Sequence, residues 1–137
     1  MQMSDKSKKI LSEISPGELL DKIGILEIKL EKVKDKNALK EIKKEYDILK
    51  KIQNSSIQST DEIRNLFKSL KSINTVLWDV EDKLRIHEKD KVFDENFIEL
   101  ARKVYINNDQ RAKEKLKINE ILGSNIREVK QYVDYKI

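Results

Sequence analysis

Apolar residues return every three to four positions through most of the chain, the spacing of one face of an α-helix. Leu19, Leu20, Ile23, Leu26, Leu30 and Val33 form one such stripe, and Leu39, Ile42, Tyr46, Leu49 and Ile52 resume it after the polar stretch Lys34 to Asn37. Ahead of the stripe, Ser15-Pro16-Gly17-Glu18 supplies a capping serine, a proline at the first helical position and a glutamate three residues after the cap. That is a capping box. The pattern predicts one long helix over residues 15–53, bent or interrupted near Asp35 to Asn37. Asn54 to Thr60 is a polar connection, and Ser59-Thr60-Asp61-Glu62 repeats the capping signature. A second helix over 60–90 follows, with Ile63, Leu66, Phe67, Leu70, Ile73, Leu77, Trp78 and Leu84 on its buried face. Asp94 caps a third helix over 94–122, striped by Phe97, Leu100, Ala101, Val104, Tyr105, Ala112, Ile118 and Leu122 and ended by Gly123. Residues 1–14 read as a flexible lead or short helix. Residues 124–137 read as a short C-terminal helix or tail that packs back through Ile126, Val129, Tyr132 and Val133.

Short connections between amphipathic helices leave little choice but to stack neighbours antiparallel. The expected fold is therefore all-α, an antiparallel bundle of three long helices plus the C-terminal segment, in one domain spanning 1–137. Helices of these lengths measure roughly 40 to 55 Å at about 1.5 Å per residue. So narrow a bundle exposes much of each helix, and a homo-oligomer that buries a further stripe is expected.

Composition narrows the chemistry. Charged residues make up 39% of the chain and hydrophobic ones 38%, with three Gly and one Pro, which suits long striped helices and leaves too few turn residues for a sheet protein. With no Cys there is no disulfide and no thiolate site, and the single histidine, His87, sits in a charged run expected to face solvent, with no ligand set around it. No metal and no cofactor is expected. No apolar run approaches the roughly 20 residues of a membrane span and the N-terminus lacks a signal core, so the expected location is cytoplasmic. Lysine exceeds arginine 24 to 5, the mark of an AT-rich genome. The net charge of +4 is carried by Lys29 to Lys51, where nine lysines face five acids. Such a stripe suits an anionic polymer or surface, but the interspersed Glu31, Asp35, Glu41, Glu45 and Asp47 disfavour nucleic acid.

Polar residues standing where the spacing calls for apolar ones carry more information than the solvated Lys and Glu faces. Glu27, Asn74, Glu81, Asn108 and Arg111 are of this kind. A buried carboxylate or guanidinium needs a partner, since leaving it unpaired costs several kcal/mol. The expected pairs join Glu81 or Glu27 to Arg111 or Arg102, with Asn74 and Asn108 completing the hydrogen bonds. One reading is an internal network that sets the register of the helices. The other opens the same residues into a cleft between the second and third helices, where Arg102 and Arg111 bind an anionic small molecule and Glu81 or Asp82 orients it. Trp78, Asp82 and Arg85 share one helix face and belong to that candidate site.

Several motifs in one order also carry a resemblance. Ser15-Pro16-Gly17-Glu18-Leu19-Leu20-Asp21-Lys22-Ile23 with Ile25-Leu26-Glu27-Ile28-Lys29 comes first. Leu77-Trp78-Asp79-Val80-Glu81-Asp82 follows, then Phe93-Asp94-Glu95-Asn96-Phe97 through Tyr105, and Asn108-Asp109-Gln110-Arg111-Ala112. From Ser15 to about Tyr135 the chain resembles a bacterial family of small helical proteins of unknown function, found beside or joined to glycosyltransferases of surface-polysaccharide synthesis. The resemblance implies a glycosyltransferase or other protein partner. It also places Lys22, Glu27, Glu81, Asp82, Arg102, Asn108, Asp109 and Arg111 inside family motifs, and Gly24 stands where the family pattern has a β-branched residue. A fainter likeness is to the all-helical chorismate mutases, which grip a dicarboxylate between arginines; the first helix here has no Arg.

The expected function is a helical accessory or interaction module, serving glycan or envelope biosynthesis through the polar face between the second and third helices. The candidate ligand-binding residues are Lys22, Glu27, Trp78, Glu81, Asp82, Arg85, Arg102, Tyr105, Asn108, Asp109 and Arg111. The alternative is a small mutase- or transferase-type enzyme acting on an anionic substrate. No nucleophile–base constellation and no glycine-rich phosphate loop is legible.

Overall fold

A computed structural model describes residues 8–136; Met1 to Ser7, part of the expected N-terminal lead, and Ile137 lie outside the described residues. Residues 8–14 form no helix. Among the described residues the class is all-α, as the periodicity requires, with four helices: α1 (Pro16–Lys32), α2 (Lys36–Ser56), α3 (Asp61–Asp90) and α4 (Glu95–Ile121). The single helix expected over 15–53 is thus two. Val33 takes an extended conformation and Asp35 caps a new helix, its Oδ2 accepting from the Ala38 amide at 2.8 Å. The interruption falls at 33–35, overlapping the expected Asp35 to Asn37 at Asp35, and α2 runs on past residue 53.

The other caps are those of the sequence. Ser15 Oγ accepts from the Glu18 amide at 3.2 Å, Thr60 Oγ1 from Ile63, and Asp94 Oδ1 from Phe97. At the end of α4, Gly123 adopts φ +63°, and the Ser124 amide reaches the Asn119 carbonyl at 2.9 Å, closing the helix as a left-handed glycine allows. The segment from Ser124 to Lys136 is an irregular tail with no helix in it. It returns along α4, with Glu128 beside Lys115 and Tyr135 beside Tyr105 and Asp109.

Helix α1 is the centre of the molecule, packing on α2, α3 and α4, whereas α2 packs on α1 alone. Eight of its 17 residues are buried. Helices α3 and α4 form an antiparallel hairpin, with Phe97 near His87 at the turn and Ile118 near Ile63 at the far end. The core gathers Leu20, Ile63, Leu70 and Ile118, and Ile57 closes it from the end of α2. Gly17 allows α1 to meet α4: a Cβ there would stand 2.5 Å from the Lys115 carbonyl oxygen. In that space the Gly17 amide donates to Asn119 Oδ1 at 2.7 Å.

Candidate functional site

The most deeply buried charge is Asp21, 1% exposed, which projects from α1 into the α3–α4 hairpin. Arg111 of α4 meets it with a fork, Nε donating to Oδ1 at 2.9 Å and Nη2 to Oδ2 at 2.5 Å. Asn74 of α3 donates to the same Oδ1 at 2.8 Å, and Arg111 Nη1 donates to Asn108 at 3.3 Å. Three helices are tied by one carboxylate. The hydrogen bonds to Asp21 hold the Arg111 guanidinium charged against its own burial. One turn along α4, Lys115 donates to Glu18 at 2.7 Å and to Glu128 of the tail at 3.2 Å. Burial opposes the Lys115 charge, but those carboxylates prevail and raise its pKa, while Lys115 holds Glu128 below the usual carboxylate value.

Arg111, Asn74 and Asn108 do therefore meet, as the pattern suggested, but their carboxylate is Asp21 and neither Glu81 nor Glu27. The apolar spacing does not single out Asp21, because α1 packs on three helices and its buried positions are not confined to one stripe. One signal was available: Gly17, Asp21, Gly24 and Ile28, at steps of four, three and four, form a continuous buried row.

Glu27 belongs to a second network. Lys71 of α3 bridges Glu27 and Glu31 at 3.1 Å each, and the Tyr46 hydroxyl of α2 donates to Glu27 at 3.2 Å. Burial and the Glu27 carboxylate together push the Tyr46 phenol up. Arg102 pairs with Glu99 at 3.0 Å in the open, and Lys22 lies exposed, 3.9 Å from Glu18. Glu81, Asp82 and Arg85 are exposed on the outer half of α3, Arg85 donating to the Glu81 carbonyl at 3.2 Å, and Trp78 is half-buried nearby. Tyr105 stacks edge-on against Tyr135, ring centres 5.3 Å apart. The Tyr135 hydroxyl donates to Asp109, which pushes its ionisation up to about 12. Arg102, Arg111 and Glu81 thus occupy three separate settings and line no common cavity. His87, expected to face solvent, instead anchors the α3–α4 turn, its ring Nδ1 donating to the Val92 carbonyl at 2.8 Å beside the Phe97 ring.

Every buried side-chain nitrogen and oxygen among the described residues has a partner, and those residues hold no cluster of three or more metal-ligating groups. None of their helices is long and apolar enough to cross a membrane. Two of the open features bear on function. A groove of about 520 Å³ runs between the outer halves of α3 and α4, floored by Leu84, Phe97, Ala101 and Val104 and rimmed by Glu81, Arg85 and Glu88. A cleft of about 440 Å³ lies where the end of α2 approaches the start of α3 over α1.

No curated protein and no solved structure matches the chain. The family comparison matches residues 10–135, a span containing the α1 motif with Asp21, the Trp78 segment of α3, the α4 segment with Asn108 and Arg111, and most of the returning tail. The chain belongs to DUF6165, a family of unknown function.

Proposed function

We propose that this domain is a helical interaction module whose working surface is the outer arm of α3 and α4. The observation that carries the reading is the arm's lack of cover. Helix α1 ends at Lys32, which pairs with Asp79 at 3.5 Å, and both helices of the hairpin continue past that level. A two-helix arm cannot bury its own apolar stripes. Ile86, Val92, Phe93 and Ile98, on the arm and its turn, stand 42–57% exposed. Contiguous apolar surface of this kind suits a docking site.

Charge supports one class of partner. Residues 79–99 hold eight acids against four Lys and Arg, so the arm fits a basic amphipathic helix. Helix α2 is itself such a helix: it has no fully buried residue, all its lysines but Lys50 are exposed, and Ile48 is 52% exposed. Head-to-tail self-association, α2 of one copy on the arm of the next, follows as the first case. The glycan- or envelope-building setting implied by the motifs supplies the second, with a glycosyltransferase as the docked protein. The mutase-type alternative draws no support from the geometry, because Arg111 is committed to Asp21 and Arg102 to Glu99.

Sedimentation velocity of the full chain over a range of concentrations, at low and high salt, tests the self-associating form. A mass that rises with concentration, falls with salt, and is abolished equally by Ile98→Glu and Lys43→Glu is expected. A monomer under every condition refutes it.

A further inference from the structure

Helices α2 and α3 are joined by a short link and both packed on α1, yet they do not pack on one another. They splay, and the opening between them is the 440 Å³ cleft. Its volume falls within the range of about 300–1,000 Å³ typical of small-molecule sites. Its floor is apolar, made by Ile57, Ile63 and Phe67, and its back wall is the Glu27–Lys71 pair held in place by Tyr46.

The cleft is cationic on both its α2 and its α3 side. Lys50 reaches in from α2 with the neutral Gln53 side chain as its hydrogen-bond partner at 3.0 Å. Lys68 lines it from α3 and makes no ion pair or hydrogen bond among the described residues. Arg64 lines it as well, steadied by Ser59 Oγ at 2.7 Å and by Asp61. Two lysines on facing helices, neither neutralised by a carboxylate, flank an apolar floor. Lys71 is neutralised by Glu27 and Glu31, so the unmet positive charge is that of Lys50 and Lys68. Asn54 adds an amide able to bond a hydroxyl or ring nitrogen.

We propose that this cleft binds a phosphate monoester carried on a compact, partly apolar body, about the size of a sugar or nucleoside phosphate, with the phosphate bridging Lys50 and Lys68 and the body resting on Phe67. A phosphate monoester carries about −1.5 to −2 charges near pH 7, matching the two lysines. Bridging would also tie α2 to α3 across the cleft, where the two helices do not pack on one another. The site is separate from the α3–α4 arm, and neither proposal depends on the other.

Phenyl phosphate is the probe, titrated into the full chain while backbone amide NMR shifts are followed, with phenol and inorganic phosphate as comparisons. Saturable shifts confined to 50–71, weaker with inorganic phosphate and absent with phenol, are expected. Lys50→Glu and Lys68→Glu should each weaken binding about tenfold. Lys40→Glu, elsewhere on α2, should leave it unchanged, and thermal unfolding verifies that each variant is folded. A parallel arm separates a soluble ester from a lipid headgroup: co-sedimentation with phosphatidylcholine vesicles containing phosphatidic acid, displaced by phenyl phosphate, assigns the phosphate to a lipid. No vesicle binding alongside saturable phenyl phosphate assigns it to a soluble ligand. The proposal is overturned by an absence of shifts in 50–71, or by binding that survives in the folded Lys50→Glu and Lys68→Glu variants.

Discussion

Replacing Arg111 by alanine leaves the Asp21 carboxylate, 1% exposed, with Asn74 Nδ2 as its remaining direct hydrogen-bond donor. Breaking a buried pair by removing one partner costs about 3–5 kcal/mol, because the other charge stays in a low-dielectric setting without compensation. Lys115 lies close enough to Asp21 to interact electrostatically, and the Arg111 side chain is itself 28% exposed, so the lower part of the range, about 3 kcal/mol, applies. For a domain of this size that is a fall in Tm of roughly 10–15 °C. Arg111→Lys should recover little of it, since an ammonium cannot reproduce the two-pronged contact. Asp21→Asn in the Arg111→Ala background removes the stranded charge, so the double variant should be more stable than Arg111→Ala alone, a coupling that a double-mutant cycle reads directly. Urea unfolding monitored by circular dichroism gives the four free energies. Arg102→Ala is the matched comparison, its exposed pair with Glu99 contributing little. If Arg111→Ala were no more disruptive than Arg102→Ala, the reasoning would fail and the guanidinium would be free to serve a ligand.

The two helical glycines of α1 should respond in opposite directions to the same change. Gly17→Ala drives a Cβ to within 2.5 Å of the Lys115 carbonyl oxygen and 2.8 Å of Asn119 Oδ1, which should cost about 1–3 kcal/mol as α1 backs away from α4. At Gly24 a new Cβ would lie 3.7 Å from both Phe67 and Lys71, ordinary contact, so Gly24→Ala should stabilise by about 1 kcal/mol through helix propensity. Equal losses in thermal unfolding would contradict the packing. The tail should respond to acid. Lys115 lowers the Glu128 pKa from its usual 4.5, so this contact stabilises the docked tail above that value and is lost as pH falls through the lowered one. Amide exchange in 124–136 should rise there before the helices unfold; unchanged exchange down to global unfolding would refute the link.

The apolar period predicts the helices because each carries a stripe against a neighbour, and the caps at Ser15, Thr60 and Asp94 mark where three of them begin. It does not separate α1 from α2, for a physical reason. A stripe that continues and a stripe that turns back on itself have the same spacing when both segments face one another, as α1 and α2 do here. The cap at Asp35, bonded to the Ala38 amide, was the sign that a new helix starts. The buried polar set was legible for Asn74, Asn108 and Arg111, each a polar residue within an apolar stripe. Asp21 was not, because α1 is covered on several sides and its stripes merge. The cleft was invisible for a different reason: Lys50 and Lys68 look like two more solvated lysines until the splay of α2 from α3 places them across one opening.

The Asp21 latch also governs how any functional experiment must be read. It ties α1 to α3 at Asn74, and α3 carries the cleft on one side of that point, over 63–71, and the arm on the other, from 81 onward. Loosening the latch therefore disturbs both surfaces at once. Loss of ligand or partner binding in Arg111→Ala, in a protein destabilised by several kcal/mol, would not by itself distinguish a binding arginine from a structural one. Lys68→Glu on α3 and Ile98→Glu on α4 alter exposed positions, one at the cleft and one on the arm, and leave the latch intact. A phenotype in one and not the other assigns the function to a surface, and the double-mutant cycle at Asp21 and Arg111 shows separately how firmly that surface is held.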